Sequence, residues 1–452
     1  MAELTFVGAA GTVTGSKHLL TINGKYILID CGLFQGVSDV RSLNDVPLPI
    51  PASKIDAVVI THGHLDHVGY LPKLVHDGFR GPIYCTPPTK GVAQIVLDDS
   101  AHLQEELRER GFHHERPQAP PMYYDEQDVA DAMNLVKTVD LGKAFDVAGA
   151  ATVTYHNAGH ILGSAFAVIE YEGKRAVFSG DLGRYDRPLL YDPEPVGGAD
   201  TLVCESTYAD RVHPPDPLND LRQALHDGML RGGAMVIPAF AVERTQDMLL
   251  AIATIQAQEP KIADVPVHLD SPMAEKVDAL FDLFPDAHKP IPRDSAGTPF
   301  GLKNFTVHET ADESKQLNHV DGPHIIVASS GMASGGRILH HLHNHLPNPK
   351  ATIIFCGYQS AGTLGYLLVH NAHTIKIFGD SLPIRSTIVH LSGFSAHADR
   401  NELKRWLGTC TARPKLYAVH GEAQSAAALA ALADGAFGWD AHVAKRGTTV
   451  EL

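Results

Sequence analysis

The sequence predicts an α/β protein of two interleaved parts, in which a first domain of short strands is interrupted by a second α/β domain with a mostly parallel sheet. Three observations predict it. Apolar strands in residues 1–208 repeatedly end in a histidine or an acidic residue, residues 209–385 alternate helices with apolar strands, and in residues 386–452 the first pattern returns. A chain of 452 residues is long enough for each part to bury its own core.

The densest signal is AVVITHGHLDHVG at residues 57–69. Residues 57–60 are an apolar run expected to be a buried strand, and the loop after it carries His62, His64, Asp66 and His67. His62 and His64, two apart, reach one ion, while Asp66 and His67 face a second. Imidazole and carboxylate donors without a thiolate suit open hydrolytic zinc better than a closed structural site. Two Zn2+ per chain are expected.

Before this stretch, residues 4–7, 18–22 and 26–30 read as an antiparallel meander split by Gly and Asn turns. Asp30 ends the third strand. It is placed to ligate a metal or to accept a hydrogen bond from a ligating histidine, although capping of the following turn accounts for it equally well. GAAGTVTGS at 8–16 fits neither phosphate-loop pattern and reads as a flexible turn. Helices are expected over 70–77 and 90–110 around a strand at 83–85, and the Pro-rich HHERPQAPP at 113–121 reads as exposed loop.

A strand over 151–157 then leads to His160, and one over 175–179 to Asp181. Single ligand-type residues at several strand ends are what one metal-bearing sheet edge requires. His160 completes the first ion's set, and Asp181, with two oxygens, can bridge both ions. Glu205 ends the next strand, and His420 follows the strand over 415–419 in the same manner.

In the second part, helices over 218–230, 244–257 and 273–284 alternate with strands over 234–237, 265–269, 325–328 and 352–355. ASSGMASGGR at 328–337 joins a strand to a helix, and Ser329, Ser330 and Gly331 are small enough to let backbone N–H groups approach a phosphate. A tight turn explains them as well. His340, His341, His343 and His345 fall on the next helix, read as partly exposed and given no metal. The strand over 387–390 leads into GFSAHADR, which contains His397.

Composition is that of a globular protein, 44% hydrophobic and 20% charged. With 37 Lys and Arg against 52 Asp and Glu, the net charge of -15 argues against indiscriminate nucleic-acid binding over the whole surface, and leaves a local positive cleft open. No run approaches the roughly 20 apolar residues of a membrane span, and the N-terminal residues lack a secretory pattern, so a cytoplasmic protein with no membrane partner is expected. Five scattered cysteines without CxxC spacing predict neither disulfides nor a cysteine zinc site.

Taken together, these residues resemble the metallo-β-lactamase superfamily and, within it, the β-CASP ribonucleases, over nearly the whole chain. Asp30 is similar to the first motif, HGHLDH at 62–67 to the HxHxDH signature, His160 to the third and Asp181 to the fourth. Glu205 in ESTY, His397 in SGFSAHAD and His420 in VHGE resemble β-CASP motifs A, B and C, and IPAFAVERTQDML, DSPMA and the SSGM segment resemble the inserted domain. Glu243, where glycine is commoner, and Tyr366, where arginine often follows GTLG, depart from the pattern. The resemblance implies an αββα sandwich interrupted by a β-CASP domain, with His62, His64 and His160 on one zinc, Asp66, His67 and His420 on the other, Asp181 bridging and Asp30 behind them. Histidine rather than valine at 420 implies RNA.

The reaction so implied is phosphodiester hydrolysis of single-stranded RNA in the groove between the two domains, by endonucleolytic cuts, from the 5′ end, or both. Two zincs activate a water and clamp the attacking and leaving oxygens. Asp66 orients or deprotonates that water, and His397, kept protonated by Glu205, donates to the departing 3′ oxygen. Two competing readings are a binuclear hydrolase of a small ester, thioester or lactam, and an RNA-binding scaffold without activity. Oligomeric state, a homodimer included, stays open.

Overall fold

The computed structural model describes residues 2–113, 122–293 and 297–452. Of the Pro-rich stretch at 113–121 only His113, the last residue of the helix Pro87–His113, falls among them. The chain forms two compact units, residues 1–212 with 397–452, and residues 213–396.

The first unit is built on two seven-stranded sheets. From edge to edge, one runs Thr449–Glu451, Ala2–Phe6, His18–Ile22, Lys25–Ile29, Ala57–Val59, Ile83–Cys85 and Val136–Thr138. The other runs Ala441–Val443, Lys415–Val419, Thr201–Glu205, Lys174–Phe178, Ala165–Tyr171, Ala151–Asn157 and Ala144–Val147. Leu4, Leu20, Ile27 and Val59 of the first meet Val153, Ala167, Ile169 and Phe178 of the second in a common core. Outside, Leu28 and Val58 pack on Leu71, Leu74 and Leu97, and Phe166 and Val177 on Leu403, Trp406 and Leu429. The layers are αββα. Because these central strands are covered on both faces, AVVI at 57–60 reads as an unbroken apolar run rather than an alternation.

Strand direction matters more for the site than strand count. Lys25–Ile29 and Ala57–Val59 run parallel, as do Lys174–Phe178, Thr201–Glu205 and Lys415–Val419. Their carboxyl ends therefore gather at one edge of each sheet.

The second unit carries a six-stranded sheet in the order Phe305–Val307, Val267–Asp270, His324–Ala328, Ala234–Pro238, Thr352–Cys356, Thr387–Leu391, every pair parallel. Thr387–Leu391, which the sequence pattern groups with the returning first domain, hydrogen-bonds to Thr352–Cys356 here. Its local pattern fits either sheet, and only the long-range partner decides.

This unit also has a polar interior. Asp270, fully buried, accepts from Arg337, Ser314 and His341, each at 2.6 Å. The helix Ile338–His345 is partly exposed, as the sequence suggests, with His340 on the outer face and His341 and His345 buried. His268 Nδ1 lies 3.1 Å from His308 Nε2. Burial, with neighbouring histidines adding to it, pushes His268 and His345 down to about 4 and also lowers His324.

A base whose folded pKa is depressed takes up protons on unfolding once the pH drops below its ordinary value of about 6.5. Stability of the second unit is thus fully present above that value and is lost as the pH falls toward 4. Thermal unfolding followed from pH 7.5 down to 5 should report a falling midpoint. The His345→Leu variant should lose less over that interval than the unaltered protein.

Candidate metal centre

Each ligand-type side chain is delivered by a strand end or the turn after it. Ala57–Val59 leads to His62 and His64, and His64 caps a one-turn helix, Leu65–Val68, that carries Asp66 and His67. The cluster is thus part loop and part helix, where the sequence suggests loop alone. Asp181 follows Lys174–Phe178, His160 follows Ala151–Asn157, and His420 follows Lys415–Val419. Asp30 and His420 hold positive φ values of 57° and 48°, the kind of backbone strain that persists only where surrounding structure fixes it.

Three groups of ligating atoms converge: His62, His64, His160 and Asp181; Asp66, His67 and His420; and Asp181, Glu205 and His397. In the first, His64 Nδ1 lies 3.2 Å from His62 Nε2 and 3.3 Å from His160 Nε2. In the second, His420 Nε2 lies 3.2 Å from both His67 Nε2 and Asp66 Oδ2. Asp181 turns one oxygen to each group. Its Oδ2 is 3.5 Å from His62 Nε2 and 3.6 Å from His160 Nε2, and its Oδ1 is 3.3 Å from His67 Nε2 and 3.4 Å from His420 Nδ1.

These separations test whether an ion fits. Bonds of about 2.0–2.1 Å at tetrahedral angles hold ligand nitrogens roughly 3.3 Å apart, the spacing observed here. Burial pushes His62 and His160 well below the ordinary histidine value and His64 down to about 4, which favours the neutral rings, each with one bare nitrogen able to coordinate. Burial works against the Asp181 carboxylate, but the adjacent His420 and His67 outweigh it and hold the group well below the usual range. The donor set suits a divalent metal.

Behind the cluster, Asp30 accepts from His67 Nδ1 at 2.7 Å, from the Thr61 amide at 2.8 Å and hydroxyl at 3.0 Å, and from the Ser16 hydroxyl at 3.3 Å. Its contact with the His67 ring is that of a residue orienting a ligand rather than of a ligand. Beside the cluster, His397 Nδ1 lies 3.0 Å from Glu205 Oε1, and Glu205 is itself fixed by the amides of Leu182 and Thr207 at 2.7 and 3.1 Å. Burial opposes charge on His397, but the Glu205 and Asp181 carboxylates prevail and raise it to about 9.

Several supporting residues gave no sequence signal as site residues. The turn at 8–16, read as flexible, is largely packed: the Ala9 carbonyl accepts the His420 amide at 2.6 Å, and Ser16 bonds through its backbone to Asp66 and Gly32 at 2.8 and 2.9 Å. Arg187, buried, donates to the His160 carbonyl at 3.0 Å. Backbone bonding of this kind leaves no residue-type pattern to read. Ser329, Ser330 and Gly331 lie in the second unit, after His324–Ala328; Ser329 and Ser271 hydroxyls are 2.9 Å apart, and the Ser330 hydroxyl accepts the Ser334 amide at 3.0 Å. Glu243 holds φ 67°, a conformation that glycine adopts freely and that explains why glycine is commoner there. Tyr366 stacks on His370 at 3.9 Å between ring centroids.

A cluster of histidines and carboxylates at the edge of an αββα sandwich defines a metallo-hydrolase. The chain belongs to the metallo-β-lactamase superfamily, in its β-CASP branch. Residues 15–231 match the metallo-beta-lactamase superfamily, 245–368 the Beta-Casp domain, and 381–444 the Zn-dependent metallo-hydrolase RNA specificity domain. A ribonuclease of Thermus thermophilus is 37% identical over 433 residues, 94% of each chain. Transcription termination factor FttA of Methanosarcina mazei is 30% identical over 448 residues, covering 95% of this chain and 68% of the factor. Cleavage and polyadenylation specificity factor 73 of Drosophila melanogaster is 30% identical over 430 residues, 93% of this chain and 60% of that one. Among solved structures, a protein of unknown function from Enterococcus faecalis shares the fold, with a TM-score of 0.54 at 14% identity over the whole of both chains. No helix among the described residues is long and apolar enough to cross a membrane.

Two glycines set how closely the loops of this centre approach. A Cβ on Gly32 would stand 1.5 Å from the Asp66 carbonyl oxygen, and one on Gly183 would stand 1.7 Å from that of Gly159, next to His160. Neither backbone can yield without displacing its neighbour. Gly32→Ala and Gly183→Ala should each lower the thermal midpoint, by an amount matching about 2 kcal/mol or more, and each should lower the metal content measured after purification.

Proposed function

We propose that the protein is a zinc-dependent ribonuclease that hydrolyses phosphodiester bonds of single-stranded RNA, binding two zinc ions per chain. The observation that carries this reading is Asp181, whose two oxygens face two separate groups of histidines while His397 and Glu205 stand beside it. A small-ester hydrolase needs only the metal cluster. The additional buried Glu205 and its histidine suit a reaction whose leaving group needs a proton. The names of relatives, a ribonuclease and a polyadenylation cleavage factor among them, support RNA as substrate.

In this reading His62, His64 and His160 would hold one zinc and Asp66, His67 and His420 the other, with the two Asp181 oxygens facing one set each. Bound zinc supplies Lewis acidity and an activated water at neutral pH. Asp30 fixes the His67 ring through Nδ1, leaving Nε2 to coordinate. Asp66, partly open to solvent, orients the attacking water in line with the scissile bond. His397 holds its Nδ1 proton against Glu205 and gives up the Nε2 proton to the departing 3′ oxygen. Internal cleavage, removal of nucleotides from the 5′ end, and both together are compatible with this arrangement.

RNA labelled at either end and incubated with the zinc-loaded protein tests the reading: internal fragments mark an endonuclease, mononucleotides from the 5′ end an exonuclease, and absence of any cut over a range of pH and added divalent ions refutes it. Chelation should abolish cleavage. Metal analysis should find two zinc ions per chain, falling toward one in His160→Ala and in His420→Ala. His397→Ala should slow cleavage by roughly 10²–10⁴-fold with metal content intact, and an unchanged rate would exclude the acid role. Glu205→Gln removes the charge that raises His397. Its alkaline limb of activity should move to lower pH.

A further inference from the structure

We propose that the second unit carries a subsite where bases of single-stranded RNA stack, formed by Phe240 and Tyr358 around the bare backbone of Gly331. This inference rests on the ribonuclease reading above. In the parallel sheet, Ala234–Pro238 and His324–Ala328 are neighbours. The chain leaving the first goes to Val267–Asp270, two positions to one side, and the chain leaving the second goes to Thr352–Cys356, two positions to the other. By the right-handed rule for parallel crossovers the two connections lie on opposite faces of the sheet, and loops that leave adjacent strands for opposite faces open a crevice at the carboxyl ends, where α/β sheets bind ligands.

The loops at that crevice are 239–243 and 329–337, and the first of them, with the loop at 357–363 beside it, presents an unusual pair of surfaces. Phe240, just after Ala234–Pro238, is 40% exposed, and Tyr358, just after Thr352–Cys356, is 39% exposed. Thr352–Cys356 flanks Ala234–Pro238 on the other side, so both rings rise from adjacent strand ends. Gly331 touches the surroundings of each. A Cβ there would fall 2.8 Å from the Phe240 ring, and the Gly331 carbonyl accepts from Gln359, the residue after Tyr358, at 3.2 Å.

Phe240 is exposed without being loose. Its carbonyl accepts the amide and the hydroxyl of Thr245 at 3.0 and 2.8 Å, and its ring rests against glycine. A phenyl ring held at the mouth of a polar crevice offers no hydrogen bond, so what it recognises is a flat face. Every nucleobase has one, which makes such a platform tolerant of sequence. The adjacent Ser329, Ser330 and Gly331 bring backbone rather than bulky side chains beside a strand so held.

Full-length, zinc-loaded Phe240→Ala and Tyr358→Ala proteins test this, with cleavage of single-stranded RNA measured beside hydrolysis of bis(p-nitrophenyl) phosphate, which presents the phosphodiester without a base. Each variant should raise KM for RNA by about tenfold, with kcat and the small-ester rate little changed, and Phe240→Trp should keep the original KM. RNA with abasic residues should lose affinity for the unaltered protein to a similar extent. If the unaltered protein cleaves RNA and KM is unmoved in both alanine variants, the subsite is overturned and the ribonuclease reading stands. A loss shared by the small ester, or one that tryptophan does not prevent, also overturns it. An unaltered protein that cuts no RNA removes both.

Discussion

The Asp30 carboxylate accepts the Thr61 amide at 2.8 Å and the His67 Nδ1 proton at 2.7 Å, and these two bonds tie one strand end to the loop and the helical turn after the next strand. The Ser16 hydroxyl adds a third segment. A buried carboxylate is costly unless its lone pairs are filled, and here each partner is an element that carries or supports a cluster residue. The cost of burying Asp30 and the geometry of the metal centre are therefore one problem with one solution. Loss of any partner would leave a charge uncompensated in the interior and a histidine without orientation.

The second unit handles buried polarity differently. Asp270 is closed off by Arg337, Ser314 and His341, a set that neutralises the carboxylate and leaves no side open to a reactant. Among the described residues, its histidine nitrogens meet at most in a pair, as in His268 and His308 at 3.1 Å, rather than in threes, and the groups close enough to hold an ion do not include them. Histidine content alone distinguishes nothing between these two interiors. Convergence of ring nitrogens does.

That contrast explains what could be read from the sequence. His62, His64, Asp66 and His67 were legible because polar residues crowded after an apolar strand have few structural explanations, and His160, Asp181 and His420 because the same punctuation recurs. The parallel sheet of the second unit followed from helix and strand alternation, whereas the αββα layering of the first was implied by the family resemblance alone. What depended on distant backbone partners was not legible: the turn at 8–16 is largely packed although its composition says flexible, and Thr387–Leu391 joins the second sheet although its pattern groups it with the returning first part.

His67 and His420 stand 3.2 Å apart in space and 353 positions apart in the chain. A ribosome adding about 5–20 residues per second needs on the order of half a minute to join them. Throughout that interval the second group lacks its last member, and His397 is added only near its end. A centre spread over the chain in this way is complete only when nearly the whole chain has been made.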